Sequence, residues 1–157
     1  MNYAWTNGAR LRGDPQTVGD ELSRIKERNG GQFKPADVVK MAKAKRSVLH
    51  QYFDWDDSTA SEKYRLEQAK YLIRCVHVLV VTEDQEEPRT VRAFVSIEQD
   101  ESRSYMDTQT VLSNSELREQ MLESAHKELV SFRQKYKDLK ELESIFDAMD
   151  NIFEFAT

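Results

Sequence analysis

The stretch Leu49–Asp57 reads LHQYFDWDD: three carboxylates, one imidazole and three aromatic rings in nine residues. Clustered carboxylates can hold Mg²⁺ and set up phosphoryl chemistry. A metal-dependent nuclease is therefore the first chemistry to weigh. Such a site takes ligands that converge from several elements, whereas Asp54, Asp56 and Asp57 are near-consecutive and their side chains diverge. Asp56–Asp57–Ser58 also fits the end of one helix and the cap of the next, where a carboxylate gains about 0.3–1 kcal/mol from the helix dipole. We expect an architectural joint, with Phe53 and Trp55 plugging a core corner.

Other catalytic patterns are weak. His50, His77 and His126 are scattered, and none forms a metal-ligand spacing with Cys75. Cys75 falls near the inner end of an expected helix, where a thiol packs as a small hydrophobe. There is no phosphate loop, dinucleotide fingerprint, nucleophile elbow or zinc-binding helix motif. The tripeptide Arg12–Asp14 (RGD) sits beside a helix cap and has no secretory context. The expectation is a protein without catalytic residues, cofactor or metal.

The run KMAKAKRS, residues 40–47, is more informative. Lys40, Lys43, Lys45 and Arg46 have no acid among them. Such a cluster on a compact helical unit is the electrostatic footprint of phosphate binding. Segments 35–45, 47–54 and 58–75 could form a helix-turn-helix-like trio, with Arg65, Lys70 and Arg74 adding positive charge. The bland alternative is a solvated helix end, because lysines favour helix C-termini. The middle segment is too apolar to read base edges, so any binding would be to the backbone and steeply salt dependent.

These residues must be held by a modest scaffold. The 157-residue chain is 39% hydrophobic and 32% charged, within the range of one soluble domain. Its net charge of −5 is unevenly spread. Residues 1–76 carry 14 basic against 10 acidic side chains, and residues 77–157 carry 9 against 18. Two halves of opposite sign suggest two jobs. With one cysteine, no apolar run long enough for a bilayer and no signal-peptide pattern at the start, a reducing cytoplasm is the expected compartment.

All five glycines lie in the first 31 residues, and nothing after Pro88 is Gly or Pro. Short, punctuated elements are therefore expected first and long ones last. Asp14 and Pro15 start a helix carrying Val18, Leu22 and Ile25, which Gly30–Gly31 end. A second helix covers KPADVVKMAKAK. A third follows Asp57 or Ser58, with Thr59 and Glu62 as a capping box and an inner stripe of Ala60, Tyr64, Leu72, Ile73 and Val76. The period then switches to two. HVLVVTE and RTVRAFVSIE read as strands about the turn DQEEP, with Val91, Ala93, Val95 and Ile97 inward and Phe94 on the wetter face. SYMDTQTVL could add a third strand.

From a capping box at Ser113 and Glu116, apolar residues recur at steps of three and four: Leu122, Ala125, Leu129, Phe132, Tyr136 and Leu139. That is a heptad seam. Leu142, Phe146, Met149, Phe153 and Ala156 continue it after an irregular step. One helix over 114–155 would be about 60 Å long and would need a second chain to cover its seam. The alternative is a hairpin near KDLKE. The absence of Gly and Pro favours the single helix. The expected fold is α+β: a single domain over 1–112, with a helical N-terminal unit (14–76) packed on a small antiparallel meander (77–112), and a C-terminal helix or helical hairpin (113–157) for oligomerisation or interaction.

The run LHQYFDWDDSTASEKYRLEQAKYLIR, with GQFKPADVVKMA before it and VRAFVSI and ELVSFRQKYKDLKEL after it, resembles a group of small proteins of tailed phages and prophages. The likeness covers about residues 14–150. It is carried by Leu49–His50, Phe53, Trp55–Asp56–Asp57, Tyr64–Arg65 and Gln68–Ala69. It implies a phage accessory protein in the bacterial host cytoplasm and supplies no catalytic residue. The resulting expectation is a non-enzymatic protein that binds nucleic acid through its basic front and self-associates through its tail. The runner-up is a module that docks a host or phage protein, or a virion assembly component.

Overall fold

The computed structural model describes residues 1–57, 61–80, 89–99 and 102–154. The expected caps at Ser58 and Thr59, the stripe residue Ala60, the turn DQEEP, the Phe153 side chain and Ala156 lie outside the described residues. The chain divides into two compact units, Met1–Ser113 and Asn114–Thr157. It is mixed helix and sheet, as the sequence pattern indicates.

The first unit opens with a strand that periodicity did not reveal, β1 (Tyr3–Trp5). Helix α1 (Pro15–Arg28) follows, with the Asp14 carboxylate accepting from the amides of Gln16 and Thr17. Burial of Val18, Leu22 and Ile25 gives α1 its inner face. The chain leaves it through Gly30 and Gly31 at φ of 71° and 97°, a region costly for residues with a β-carbon. Helix α2 (Pro35–Ala42) buries Val38 and Ala42. Helix α3 (Glu62–Cys75) buries Ala69, Leu72, Ile73 and Cys75. Tyr64 is exposed, so it leaves the expected stripe. Ser61, and not Asp57 or Ser58, precedes the first turn of α3.

Helix α3 runs without a loop into β2 (Val76–Val80), the central strand of a three-stranded antiparallel sheet. Strand β1 pairs on one side, with Tyr3 opposite Val78, and β3 (Arg89–Arg92) on the other, with Val91 opposite Val78. The sequence RTVRAFVSIE is not one strand. It breaks at Ala93, and β4 (Phe94–Gln99) pairs instead with β5 (Ser102–Asp107) in a separate two-stranded sheet. The Ala93 amide donates to the Val76 carbonyl, and its own carbonyl accepts from the Thr108 amide. The strand thus changes sheets at one residue, and Ala93 and Phe94 are both buried. Strict alternation fails there because the backbone turns. SYMDTQTVL likewise divides: its front belongs to β5, and Thr108–Ser113 forms helix α4.

Three contacts knit these pieces. The Tyr3 ring lies flat on the α1 backbone at Gly19, where any β-carbon would overlap it. The Tyr3 hydroxyl bonds Ser23 Oγ at 2.7 Å, and the Tyr3 amide donates to Gln16 Oε1 at 3.0 Å. Phe33, just before α2, makes a two-way backbone bridge with Tyr105 of β5 and packs edge-on against Phe94 at 5.2 Å. Lys26 at the end of α1 pairs with the mostly buried Asp107 at 3.2 Å. Asp107 also accepts from the Thr110 amide and hydroxyl, both at 2.8 Å, and so caps α4. Burial alone would raise the Asp107 pKa. The Thr110 donors and the Lys26 ammonium outweigh it and hold the carboxyl below its usual value.

The second unit is a helical hairpin and not one long helix. Helix α5 (Ser115–Tyr136) starts with Asn114 Oδ1 accepting from the Leu117 amide at 3.1 Å. Ser113, the expected cap, is the last residue of α4. The chain leaves α5 after Tyr136, is extended at Leu139, and returns as α6 (Glu143–Glu154). The Phe132 and Phe146 rings meet edge-on at 6.4 Å, and Arg133 pairs with Asp150. The heptad seam loses its phase between Leu139 and Leu142, where two steps of three follow each other. The helix breaks at that irregularity without Gly or Pro.

The Tyr3 and Asp107 contacts can each be tested by one substitution. An alanine in a helix normally gains about 1 kcal/mol over glycine. Gly19→Ala should instead lose roughly 1–3 kcal/mol in urea unfolding, because it forces Tyr3 off α1. Asp107→Asn should cost roughly 1–2 kcal/mol at pH 7. A carboxyl with a lowered folded-state pKa stabilises above its unfolded value, about 3.9, and loses that contribution as pH falls through the folded one. The gap between Asp107→Asn and wild type should therefore close below about pH 4 in acid-unfolding curves.

Candidate nucleic-acid interface

Lys40 lies on α2, and Lys43 follows one turn later at its C-terminal end. Lys45 and Arg46 do not extend the helix. They occupy a run of turns that ends in a 3₁₀ turn at His50–Tyr52. Segment 47–54 therefore forms no recognition helix, and the helix-turn-helix-like trio does not form. The reason is local. Ser47 interrupts: its backbone amide donates to the Ala44 carbonyl at 2.8 Å, and its hydroxyl accepts from the Leu49 amide at 3.3 Å. Serine competes with helical bonding in this way at turns.

The turns are firmly seated. Ala42 and Leu49 are fully buried, and Phe53 nearly so. His50 Nδ1 donates to the Ala42 carbonyl at 2.9 Å, which ties the 3₁₀ turn to the end of α2. Between these anchors Lys43, Lys45 and Arg46 are exposed, as is Lys40, and none of the four is in an ion pair among the described residues. Three cations are thus held on a mount anchored at both ends, and Lys40 on α2 is the fourth. Cationic side chains of this kind suit phosphate oxygens, which require charge and reach and no shaped pocket.

The other three expected cations are placed differently. Arg65 is drawn inward, with only 15% of its side chain exposed. Its Nε donates to the Asp54 carbonyl at 3.1 Å, its guanidinium pairs with Asp57, and it stacks over the Trp55 ring at 5.3 Å. Lys70 pairs with Glu67 one turn away on α3. Arg74 is exposed on the last turn of α3, the helix against which α2 packs. That Arg65 serves the joint was missed in the sequence. The available signal was its position beside a cluster of aromatics and acids that needed a partner.

The segment LHQYFDWDD is built as a joint. Trp55 Nε1 donates to the His50 carbonyl at 2.9 Å, and the two rings stack at 5.0 Å with 8° between their planes. Phe53 packs beside Trp55 at 5.6 Å. The Asp54 amide donates to Gln68 Oε1 on α3, and its carboxylate accepts from the Asp56 amide. Asp57 is engaged by Arg65. No group of three acids, histidines or cysteines among the described residues could hold a metal. Cys75 is buried, and burial pushes its thiol up, away from the nucleophilic thiolate.

The joint supports the basic turns directly, so Trp55→Ala should cost about 3 kcal/mol in chemical unfolding, the lower end for a large truncation because the ring is only partly buried. Unchanged stability would make Trp55 a surface residue in solution. No protein-family model matches the chain, and neither does any curated protein or solved structure.

Proposed function

We propose that this chain is a non-enzymatic accessory protein of phage type. It holds nucleic acid by the phosphate backbone through Lys40, Lys43, Lys45 and Arg46, and it self-associates through its C-terminal helices. The observation that carries the first part is the set of four exposed cations, without an ion pair among the described residues: Lys40 on α2, and Lys43, Lys45 and Arg46 on the turns that follow, which are pinned at both ends. Arg65 contributes from within by holding the joint. The resemblance to phage proteins supplies the setting, a bacterial host cytoplasm. Among the described residues no helix is long and apolar enough to cross a membrane.

Binding of this kind carries little sequence preference and a steep salt dependence. Four phosphate contacts on duplex DNA give a log–log slope of about −3 to −4. Fluorescence anisotropy with a labelled duplex and a single strand, between about 50 and 200 mM salt, should show that decline. The variant Lys43→Glu, Lys45→Glu, Arg46→Glu should lose retention at every salt concentration while its unfolding curve stays in place, since all three side chains are exposed. Absence of binding by the wild type at the lowest salt would move the function to protein partners. A second reading, a module that docks a host or phage protein or a virion component, draws on the apolar side chains left exposed on α5 and α6.

A further inference from the structure

Among the described residues, seven of the thirteen exposed large apolar side chains belong to the second unit. Leu122, Leu129 and Phe132 are 61%, 41% and 40% exposed on α5, and Ile145 and Ile152 are exposed on α6. Helix α6 covers the seam only in part: Phe146 and Met149 are buried, and the flanks stay open. Two helices cannot enclose a core alone. A bundle of four can, with the same packing rules.

Resting on the self-association proposed above, we infer its occupant and direction: a second copy of the hairpin, its α5 antiparallel to the first. Two features of α5 select this arrangement. The first is size. With Leu122, Leu129 and Tyr136 at a and Ala125 and Phe132 at d, an antiparallel pair sets each a beside a d of the partner. Leu129 then meets Phe132, and the small Ala125 meets the large Tyr136, about one two-fold axis that passes between Val130 and Ser131 in the C-terminal part of α5. A parallel pair would stack Ala125 on Ala125 and Phe132 on Phe132, leaving one layer hollow and its neighbour crowded.

The second feature is charge. In the register set by the apolar layers, Glu128 and Lys135 occupy g positions that face each other across the axis, twice per dimer. Both are exposed, and neither is in an ion pair among the described residues. The isologous symmetry makes each pair recur, so one substitution acts at two places.

Sedimentation equilibrium on the full chain tests this with Glu128→Lys and Lys135→Glu, two surface changes that leave the fold alone. Each variant by itself should dimerise about tenfold more weakly, because two attractions become two repulsions. An equimolar mixture of the two should recover wild-type affinity, since in the mixed dimer both contacts between positions 128 and 135 again join opposite charges. A wild-type dimer whose variants dimerise normally, or whose mixture recovers nothing, would overturn the antiparallel register and leave self-association standing. A wild type that stays monomeric at tens of micromolar would overturn the register and self-association together, without bearing on the DNA-binding assay.

Discussion

The first unit depends on a ring lying flat against a helix. Tyr3 occupies the space that a side chain at position 19 would fill, and its hydroxyl and amide are both satisfied by α1. This holds the short strand β1, which has only three residues with which to pair, against the edge of β2. An isolated strand of that length is marginal in water. With β1 fixed, β2 becomes a central strand, and its first residue, Val76, is buried where it emerges from α3. The apolar faces of α1, α2 and α3 then share one core with the sheet.

The second sheet is attached by fewer and more polar links. Ala93 donates to one sheet and accepts from the end of the other, the Phe33–Tyr105 bridge reaches across to the segment before α2, and the Lys26–Asp107 pair closes the edge. A buried ion pair is weak evidence of stability unless its remaining lone pairs are satisfied. Here Thr110 satisfies them, and the same carboxylate starts α4.

The basic turns and the aromatic joint are one construction. The cations are displayed because His50, Leu49 and Phe53 seat the turn, and those residues are held by Trp55, which is clamped by Arg65 and through it by Asp54 and Asp57. The aspartates that first suggest metal chemistry therefore serve the positive surface indirectly. The Asp57 carboxylate occupies an arginine that would otherwise face water, and the backbone carbonyl and amide of Asp54 anchor α3 to the turn.

Much of the helical architecture was legible in the chain because local signals suffice for it. Asp14–Pro15, Gly30–Gly31 and the spacing of Val18, Leu22 and Ile25 specify α1 without help from distant residues, and the switch to period two marks the strands. The cluster Lys40–Arg46 was equally visible, since charge is a property of composition. Tertiary structure decided the rest. Strand β1 gains its conformation only from its neighbours, so a three-residue segment carries no periodic signal. The break at Ala93 arises because two sheets compete for one strand. The short turn at 50–52 prevails over a helical pattern because serine and histidine bond the backbone more favourably there. Arg65 points inward because Trp55 and two aspartates surround it in space. The hairpin forms where a heptad loses phase, since the return of α6 covers apolar surface that a straight helix would leave in water.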